Sequence, residues 1–335
     1  MKIKYENWRP SEQVRIDIRR AEAVCQQYAA DGYDLTLRQL YYQFVARGWI
    51  ENNLKSYKRL GEIVNRARLS GLLDWSYIVD RTRSLRGTSH WRTPGAVIDS
   101  AAWSYRLDKW ATQPRRVEVW VEKEALAGVV QRAANEADVD WFSCRGYVSQ
   151  SEQWAAARRF LGYLRNGQAV TVLHLGDHDP SGIDMTRDIR ERLELFLSQD
   201  WLSEHRAWFD EDVEIAEVLA HMRDQLGDVD PIEIRRIALN SDQVREHNPP
   251  PNPAKLTDSR ASAYVREHGY ESWELDALPP DVLAGLIGQH IEGIRNEDAF
   301  ELIAAREAHE RELLRAAADR WTELAGVLAA NGDEG

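Results

Sequence analysis

The stretch "VTVLHLGDHDPSGIDM", Val170 to Met185, decides the fold. Val170, Val172, Leu173 and Leu175 form a near-continuous apolar run, which predicts a parallel strand covered on both faces. Gly176 ends that strand. In open α/β sheets, ligands bind just beyond the carboxyl ends of the strands, so Asp177 and Asp179 fall where such a fold places its chemistry. In extended chain, residues i and i+2 point to the same side. Two carboxylates so placed repel each other unless a cation lies between them, and hard oxygen donors of this kind suit Mg²⁺ or Mn²⁺. The competing reading is local: Asp179 opens a turn before Pro180, and Asp177 caps the next helix. His178 alternates away from both aspartates and is not expected to be a ligand.

Outward from this strand, the pattern alternates. "VEVWVE" predicts a strand and "KEALAGVVQRAANEA" a helix. "DWFSCRG" predicts a strand and "SEQWAAARRFLGYLRNG" a helix. A helix follows the DHD turn, and "EIRRIAL" predicts a fourth strand. Such alternation implies a parallel sheet with helices on both faces. Glu122 ends the first strand and so shares the rim with Asp177 and Asp179. A glutamate after the first strand with DxD after the third is the pattern of a Toprim domain. Three carboxylates converging on one rim can hold one or two Mg²⁺, which stabilise charge on a phosphate under attack. Alternatively, Glu122 only caps the following helix.

The part before residue 117 reads differently. Ser11–Ala30, Thr36–Arg47 and Asn53–Leu69 each carry helical periodicity. Thr36 with Gln39 forms a capping-box pattern, and Gly48 is a stop. "LLDWSYIVD" reads as strand. Three helices and a strand outline a winged helix. The connector between Trp91 and Arg116 carries no recognisable pattern. "NPPPNPAKLTD", Asn248 to Asp258, reads as a proline-stiffened loop. From Pro279 the chain is helical again, and Asn296–Ala330 predicts one long amphipathic helix, a core wall or a dimer contact.

Charge separates the same parts. The chain is acidic overall, with a formal charge of −12. Residues 1–116 nevertheless hold 21 Lys and Arg against 12 Asp and Glu, and the remainder 22 against 43. Within Arg47–Arg92, ten residues are basic and four acidic. Such a split implies separate tasks, and a phosphate backbone is the natural partner of the basic part. Lys55, Lys58, Arg59 and Arg66 lie mostly off the apolar line of the third helix and are candidate DNA contacts. Only two cysteines, Cys25 and Cys144, are present, which excludes a disulfide scaffold and a cysteine-rich zinc site. With no apolar run long enough to span a bilayer and no apolar leader, the expectation is a cytoplasmic, nucleoid-associated protein without a membrane partner.

The second helix, "TLRQLYYQFVARG", holds two adjacent tyrosines. At 100° per residue, Tyr41 falls in the apolar stripe with Leu37, Leu40, Phe44 and Val45. Tyr42 falls on the polar side, with Arg38 beside it at i−4. An exposed tyrosine is a poor nucleophile unaided, but a guanidinium can stabilise the phenolate and hold a phosphate. The alternative is a surface tyrosine that makes packing contacts.

Taken in order, these motifs resemble the A subunit of type IIB topoisomerase (topoisomerase VI) and the related meiotic double-strand-break transesterase. The "LRxxYY" pattern of that family is matched by Leu37–Tyr42, its "VEK" by Val121-Glu122-Lys123, its "DxDPxGI" by Asp177–Ile183, and its late "ExxAL" by Glu274–Leu278. Cys144-Arg145-Gly146-Tyr147 approximates "GKGYPD", with Arg145 in place of lysine and Val148-Ser149 in place of Pro-Asp. The resemblance spans roughly residues 35 to 280. It implies an α/β chain: a mostly helical winged-helix domain (1–92), a connector (93–116), a Toprim domain with a Rossmann-like parallel sheet (117–278) and a helical extension (279–335). It implies a DNA-strand-breaking transesterase in which Tyr42 is the nucleophile, Arg38 supports it, and Glu122, Asp177 and Asp179 bind Mg²⁺, with Glu122 also catalytic and Arg145 on DNA. It further implies double-stranded DNA as substrate, a homodimer, and a GHKL-type ATPase B subunit as a possible partner. Two alternatives stay open: a Toprim nuclease that uses metal-activated water, and a non-catalytic DNA-binding scaffold.

Overall fold

The computed structural model describes residues 2–30, 32, 35–79 and 88–332. The chain is mixed α/β and divides into two compact units. One combines Met1–Arg83 with Arg115–Gly293, the other Ser84–Pro114 with Ile294–Gly335. These units run across the boundaries expected at residues 92, 116 and 278.

Three helices open the first unit: α1 (Glu12–Ala30), α2 (Leu37–Ala46) and α3 (Leu54–Leu69). The second and third begin where the sequence supplies a cap. Thr36 and Gln39 close the expected capping box, with the Thr36 N–H donating to Gln39 Oε1 at 2.8 Å. Asn53 Oδ1 accepts from the Ser56 N–H at 2.8 Å and starts α3. Ile18, Ala21, Cys25 and Tyr28 of α1 face Leu40 and Phe44 of α2 and Leu60 and Val64 of α3 in one core. The strand expected in "LLDWSYIVD" is absent. Trp75–Tyr77 form a turn of 3₁₀ helix instead, and Ile78 makes only an isolated bridge to Leu35. Asp74 causes this: its Oδ1 accepts from both the N–H and the hydroxyl of Ser76, which fixes a turn where alternation suggested extension. Asp80, the last residue of that segment, lies outside the described residues.

After α4 (Pro94–Ser104), which belongs to the second unit, the chain alternates: β1 (Arg115–Val121), α5 (Ala127–Glu136), β2 (Asp140–Ser143), α6 (Gln150–Arg165), β3 (Ala169–Leu175), α7 (Pro180–Glu204), α8 (Ile215–Gln225) and β4 (Ile232–Ala238). The four strands form one sheet in the order β2-β1-β3-β4, every pair parallel. Stepping from β1 to β2 runs opposite to stepping from β2 to β3. Right-handed crossovers therefore place α5 on one face and α6 on the other. Every residue of β3 is buried, as its apolar run required. Phe160 of α6 and Ile189 and Leu193 of α7 pack on Trp120, Val170, Val172 and Ile234 of the sheet.

The register aligns the carboxyl ends. Val121 pairs with Leu175 and with Ser143, and Leu175 pairs with Ala238. Glu122, Gly176 and Leu239 are thus the next residues of three neighbouring strands. Helices α9 (Ser241–His247), α10 (Ala261–His268) and α11 (Pro280–Glu292) complete this unit, with a two-residue hairpin between Asn252–Pro253 and Glu271–Ser272.

The second unit packs α4 against α12 (Glu297–Asp319) and α13 (Trp321–Gly332). The expected single helix is broken at Arg320. Thr93 caps α4 and Pro94 occupies its first turn. Buried Glu307 accepts from Lys109 Nζ and from the Leu107 N–H, both at 2.9 Å. Among the described residues, no helix is long and apolar enough to cross a membrane.

Candidate active site at the strand ends

Glu122 reaches across the rim, and its Oε2 accepts from the Asp177 N–H at 2.8 Å. It is not a helix cap. Asp179 is one: its Oδ1 accepts from the Gly182 N–H at 2.6 Å and opens α7, as the local reading expected. Asp177 turns the other way. Its Oδ1 accepts from the Leu275 N–H at 2.7 Å and lies 2.8 Å from Lys123 Nζ. Each carboxylate thus commits one oxygen internally. No hydrogen bond from a described residue reaches Glu122 Oε1, Asp177 Oδ2 or Asp179 Oδ2. Hard oxygens of this type suit Mg²⁺. Among the described residues, however, no three Asp, Glu, His or Cys side chains are gathered closely enough to enclose a metal ion as they stand. His178 faces away, as alternation required, with its ring nitrogen 3.1 Å from the Leu239 carbonyl.

Gly182 is required by the local geometry. A Cβ there would overlap the Asp177 carbonyl oxygen. The first turn of α7 therefore presses on the DHD loop only because residue 182 has no side chain.

Arg236 holds this loop from below. It is partly buried, and donates to the carbonyl oxygens of Gly176 (2.8 Å), Asp177 (2.6 Å), Gly182 (2.8 Å) and Leu239 (3.3 Å). Burial pulls its pKa down to about 10, opposed by the charges of Glu122, Asp177 and Asp179. Burial likewise raises Glu122 above the usual carboxylate range, and Asp179 adds to that rise. Burial pushes Asp177 up to about 8, with Lys123 opposing and Glu122 adding. Arg236 was missed in the sequence, although strand alternation puts it on the same side as Ile232, Ile234 and Ala238, a visible signal.

A second arm joins this rim to the tyrosine helix. Lys123 bonds Asp276 Oδ1 at 3.1 Å and also pairs with Glu274. From the other side, Arg38 Nε donates to Asp276 Oδ2 at 2.7 Å and Arg38 Nη2 to Glu274 Oε2 at 2.8 Å. Residues 38, 123, 177, 274 and 276 therefore form one charged chain. Burial alone would lower Lys123 and Arg38, but Asp276 and its neighbours outweigh it and raise both. Asp276, now a hub of the site, was quoted in the sequence motif but given no role. Its signal was a carboxylate between Leu275 and Ala277, two residues that are themselves buried.

Tyr42 corrects the expectation of an outward tyrosine. Tyr41 is 4% exposed and Tyr42 6%. Helical geometry did place Tyr42 off the stripe of α2. It did not foresee a second surface: Leu275–Ala277 lie over that side, and Ala277 joins the same core as Tyr42. The two hydroxyls still differ. That of Tyr41 donates to Asn52 Oδ1 at 2.9 Å and to the Asn53 carbonyl at 3.2 Å. No described residue hydrogen-bonds the Tyr42 hydroxyl. The Arg38 guanidinium lies 5.7 Å from the Tyr42 ring centre. Both residues line a cavity of about 280 Å³ with Tyr41, Tyr57, Asn52 and Asn53. Burial, then Asp276 and Glu274, raise the Tyr42 pKa well above the ordinary phenol, against Arg38 and Lys123.

The expected DNA contacts are dispersed. Lys55 and Lys58 are exposed on α3. Arg59 is tied to buried Asp17 at 3.1 Å, and Arg66 stacks on Trp8 at 4.5 Å. Arg145 is exposed on the rim beside Glu124, at 3.1 Å. Cys25 and Cys144 are buried free thiols. The chain matches no model of a known protein family and no curated protein.

Proposed function

We propose that the chain is a DNA-cleaving transesterase subunit. One observation carries this reading: the hydroxyl of Tyr42 makes no hydrogen bond to a described residue and lies in a cavity beside Arg38, and Arg38 is wired through Asp276, Glu274 and Lys123 to Asp177. Residues far apart in sequence, all but Asp276 picked out by the topoisomerase VI resemblance, meet in one unit. Arg38 Nη1 makes no hydrogen bond to a described residue and is available to a phosphate oxygen. In the proposed step, the Tyr42 oxygen attacks the backbone phosphorus. Its proton leaves to solvent, the P–O3′ bond breaks, and the departing O3′ takes up a proton from solvent. The products are a 5′-phosphotyrosyl link and a free 3′-hydroxyl. The ester is conserved, so the break can be resealed. Mg²⁺, held by the uncommitted oxygens of Glu122, Asp177 and Asp179, would supply charge neutralisation at the phosphate. Basic residues of the first 116 positions would hold the duplex. The resemblance adds a homodimer, the simplest way to cut both strands, and a separate ATPase subunit where strand passage follows.

Burial of Tyr42 and the rise in its pKa favour a second reading, a metal-dependent nuclease in which water attacks and Tyr42 is idle. A denaturant-trapped reaction with end-labelled duplex and Mg²⁺ separates the two. The transesterase leaves DNA covalently bound to wild type and none to Tyr42→Phe. Cutting by Tyr42→Phe at the wild-type rate, with no adduct, selects the nuclease.

A further inference from the structure

We infer a second nucleotide-binding site, in a basic groove between the N-terminal segment and α1, away from Tyr42. A cavity of about 400 Å³ there is lined by Lys2, Trp8, Arg9, Arg15 and Arg19, among others. That size lies within the usual range for small-ligand sites. The sole acidic lining residue, Glu22, pairs with Lys2 and does not neutralise the arginines. Arg15 bonds only the Pro10 carbonyl, at 3.3 Å. Arg19 meets Glu12 at 3.2 Å, a pair exposed on both sides and therefore weak. Arg9 makes no hydrogen bond or ion pair with a described residue.

The wall that carries these charges is fixed. The N–H groups of Tyr5 and Glu6 donate to the Leu69 carbonyl at 2.7 and 3.0 Å, and Lys4 bridges to Ser70. Trp8 is half-buried against the helical core, and Arg66 stacks on its ring. Guanidinium groups favour phosphate through paired hydrogen bonds, and an immobilised indole offers a face to any base. A held aromatic with three under-neutralised arginines matches a phosphate-bearing nucleotide, as part of a strand or free. The inference deepens the DNA-binding part of the proposed function and is independent of cleavage.

The test is fluorescence anisotropy with a labelled 30-base-pair duplex and a labelled 30-nucleotide oligo(dT), with unlabelled dTMP as competitor. The triple variant Arg9→Ala/Arg15→Ala/Arg19→Ala is expected to bind both oligomers at least about tenfold more weakly, with a salt slope lower by roughly 2–3. The corresponding triple lysine variant should recover most of the loss. Competition by dTMP near its own binding concentration assigns a free nucleotide; failure to compete assigns a strand. Unchanged affinity in the folded alanine variant overturns the site, as does wild-type protein that binds neither oligomer nor dTMP. Loss of the covalent adduct with intact binding would remove the transesterase reading and leave this one standing.

Discussion

Lys123 Nζ lies 2.8 Å from Asp177 Oδ1 and 3.1 Å from Asp276 Oδ1, so one buried ammonium serves carboxylates from two distant segments. Removing it leaves Asp177 without its cation and Asp276 with Arg38 alone. Truncating one partner of a buried pair costs about 3–5 kcal/mol. Lys123→Met is expected to lose stability on that scale in urea denaturation. Because the rim then carries more uncompensated charge, Mg²⁺ is expected to raise its melting temperature more than that of wild type. No Mg²⁺ effect on either protein would argue against a cation site at Glu122, Asp177 and Asp179.

The two adjacent tyrosines should respond differently to loss of one oxygen. Tyr41→Phe removes one hydroxyl proton shared between Asn52 Oδ1 and the Asn53 carbonyl and should cost about 1 kcal/mol, the worth of roughly one hydrogen bond. Tyr42→Phe removes a hydroxyl with no described partner and should change stability by less than about 0.5 kcal/mol. Equal losses in equilibrium unfolding would mean that Tyr42 is a structural residue.

The sheet was readable because its chemistry is local and periodic. The apolar run at Val170–Leu175 could be only a buried strand, and strand ends in a parallel sheet fall on one rim whatever their sequence separation. Asp177, Asp179 and Glu122 could therefore be placed without coordinates. The environment of Tyr42 could not. One helix's periodicity reports its first packing partner, and burial under Leu275–Ala277 is set by a contact more than 230 residues away. Asp276 and Arg236 each left a signal in the sequence, but their partners did not. A buried charge is recognisable only once its partner is known. "LLDWSYIVD" failed in the opposite direction: one side chain, Asp74, overrode the strand pattern of its neighbours.

His174 gives an acid-side pH dependence. Its ring is fully buried, with Nδ1 2.8 Å from Thr186 Oγ1, and burial pulls its pKa down to about 3, with Arg236 adding. The unfolded chain binds a proton near pH ~6.5 and the folded chain does not. Stability from this group is therefore present above pH ~6.5 and is lost as pH falls toward 3, with a slope of up to about 1.4 kcal/mol per pH unit. The stability difference between wild type and His174→Leu, measured by urea titration at pH 7, 6 and 5, should shift in favour of the variant with acid. A difference that stays constant would show that the imidazole protonates freely in the fold.

Gly182→Ala tests the close approach of α7 to the DHD loop. The added methyl meets backbone, the Asp177 carbonyl, and so cannot be relieved by a rotamer change. Overpacking of this kind costs about 1–3 kcal/mol. The loop should move, the Asp179 cap should weaken, and metal-dependent cutting should fall more than stability predicts. The hydrogen-exchange protection of the Gly182 amide is the direct readout. Protection equal to wild type would show that the loop absorbs the methyl without moving its carboxylates.

Arg236 separates charge from geometry beneath the same loop. Its guanidinium donates to four carbonyl oxygens and also to Thr186 Oγ1 at 3.1 Å. Arg236→Met strands these acceptors and removes the positive charge under Glu122, Asp177 and Asp179, so a loss of about 3–5 kcal/mol is expected. Arg236→Lys keeps the charge but cannot span the same acceptors, because an ammonium is a point donor and not a planar fork. If charge dominates, the lysine variant should recover most of the stability. If geometry dominates, it should unfold close to the methionine variant. The number of buried acceptors favours geometry. A lysine variant as stable as wild type would show instead that Arg236 acts only as a counter-charge to the rim.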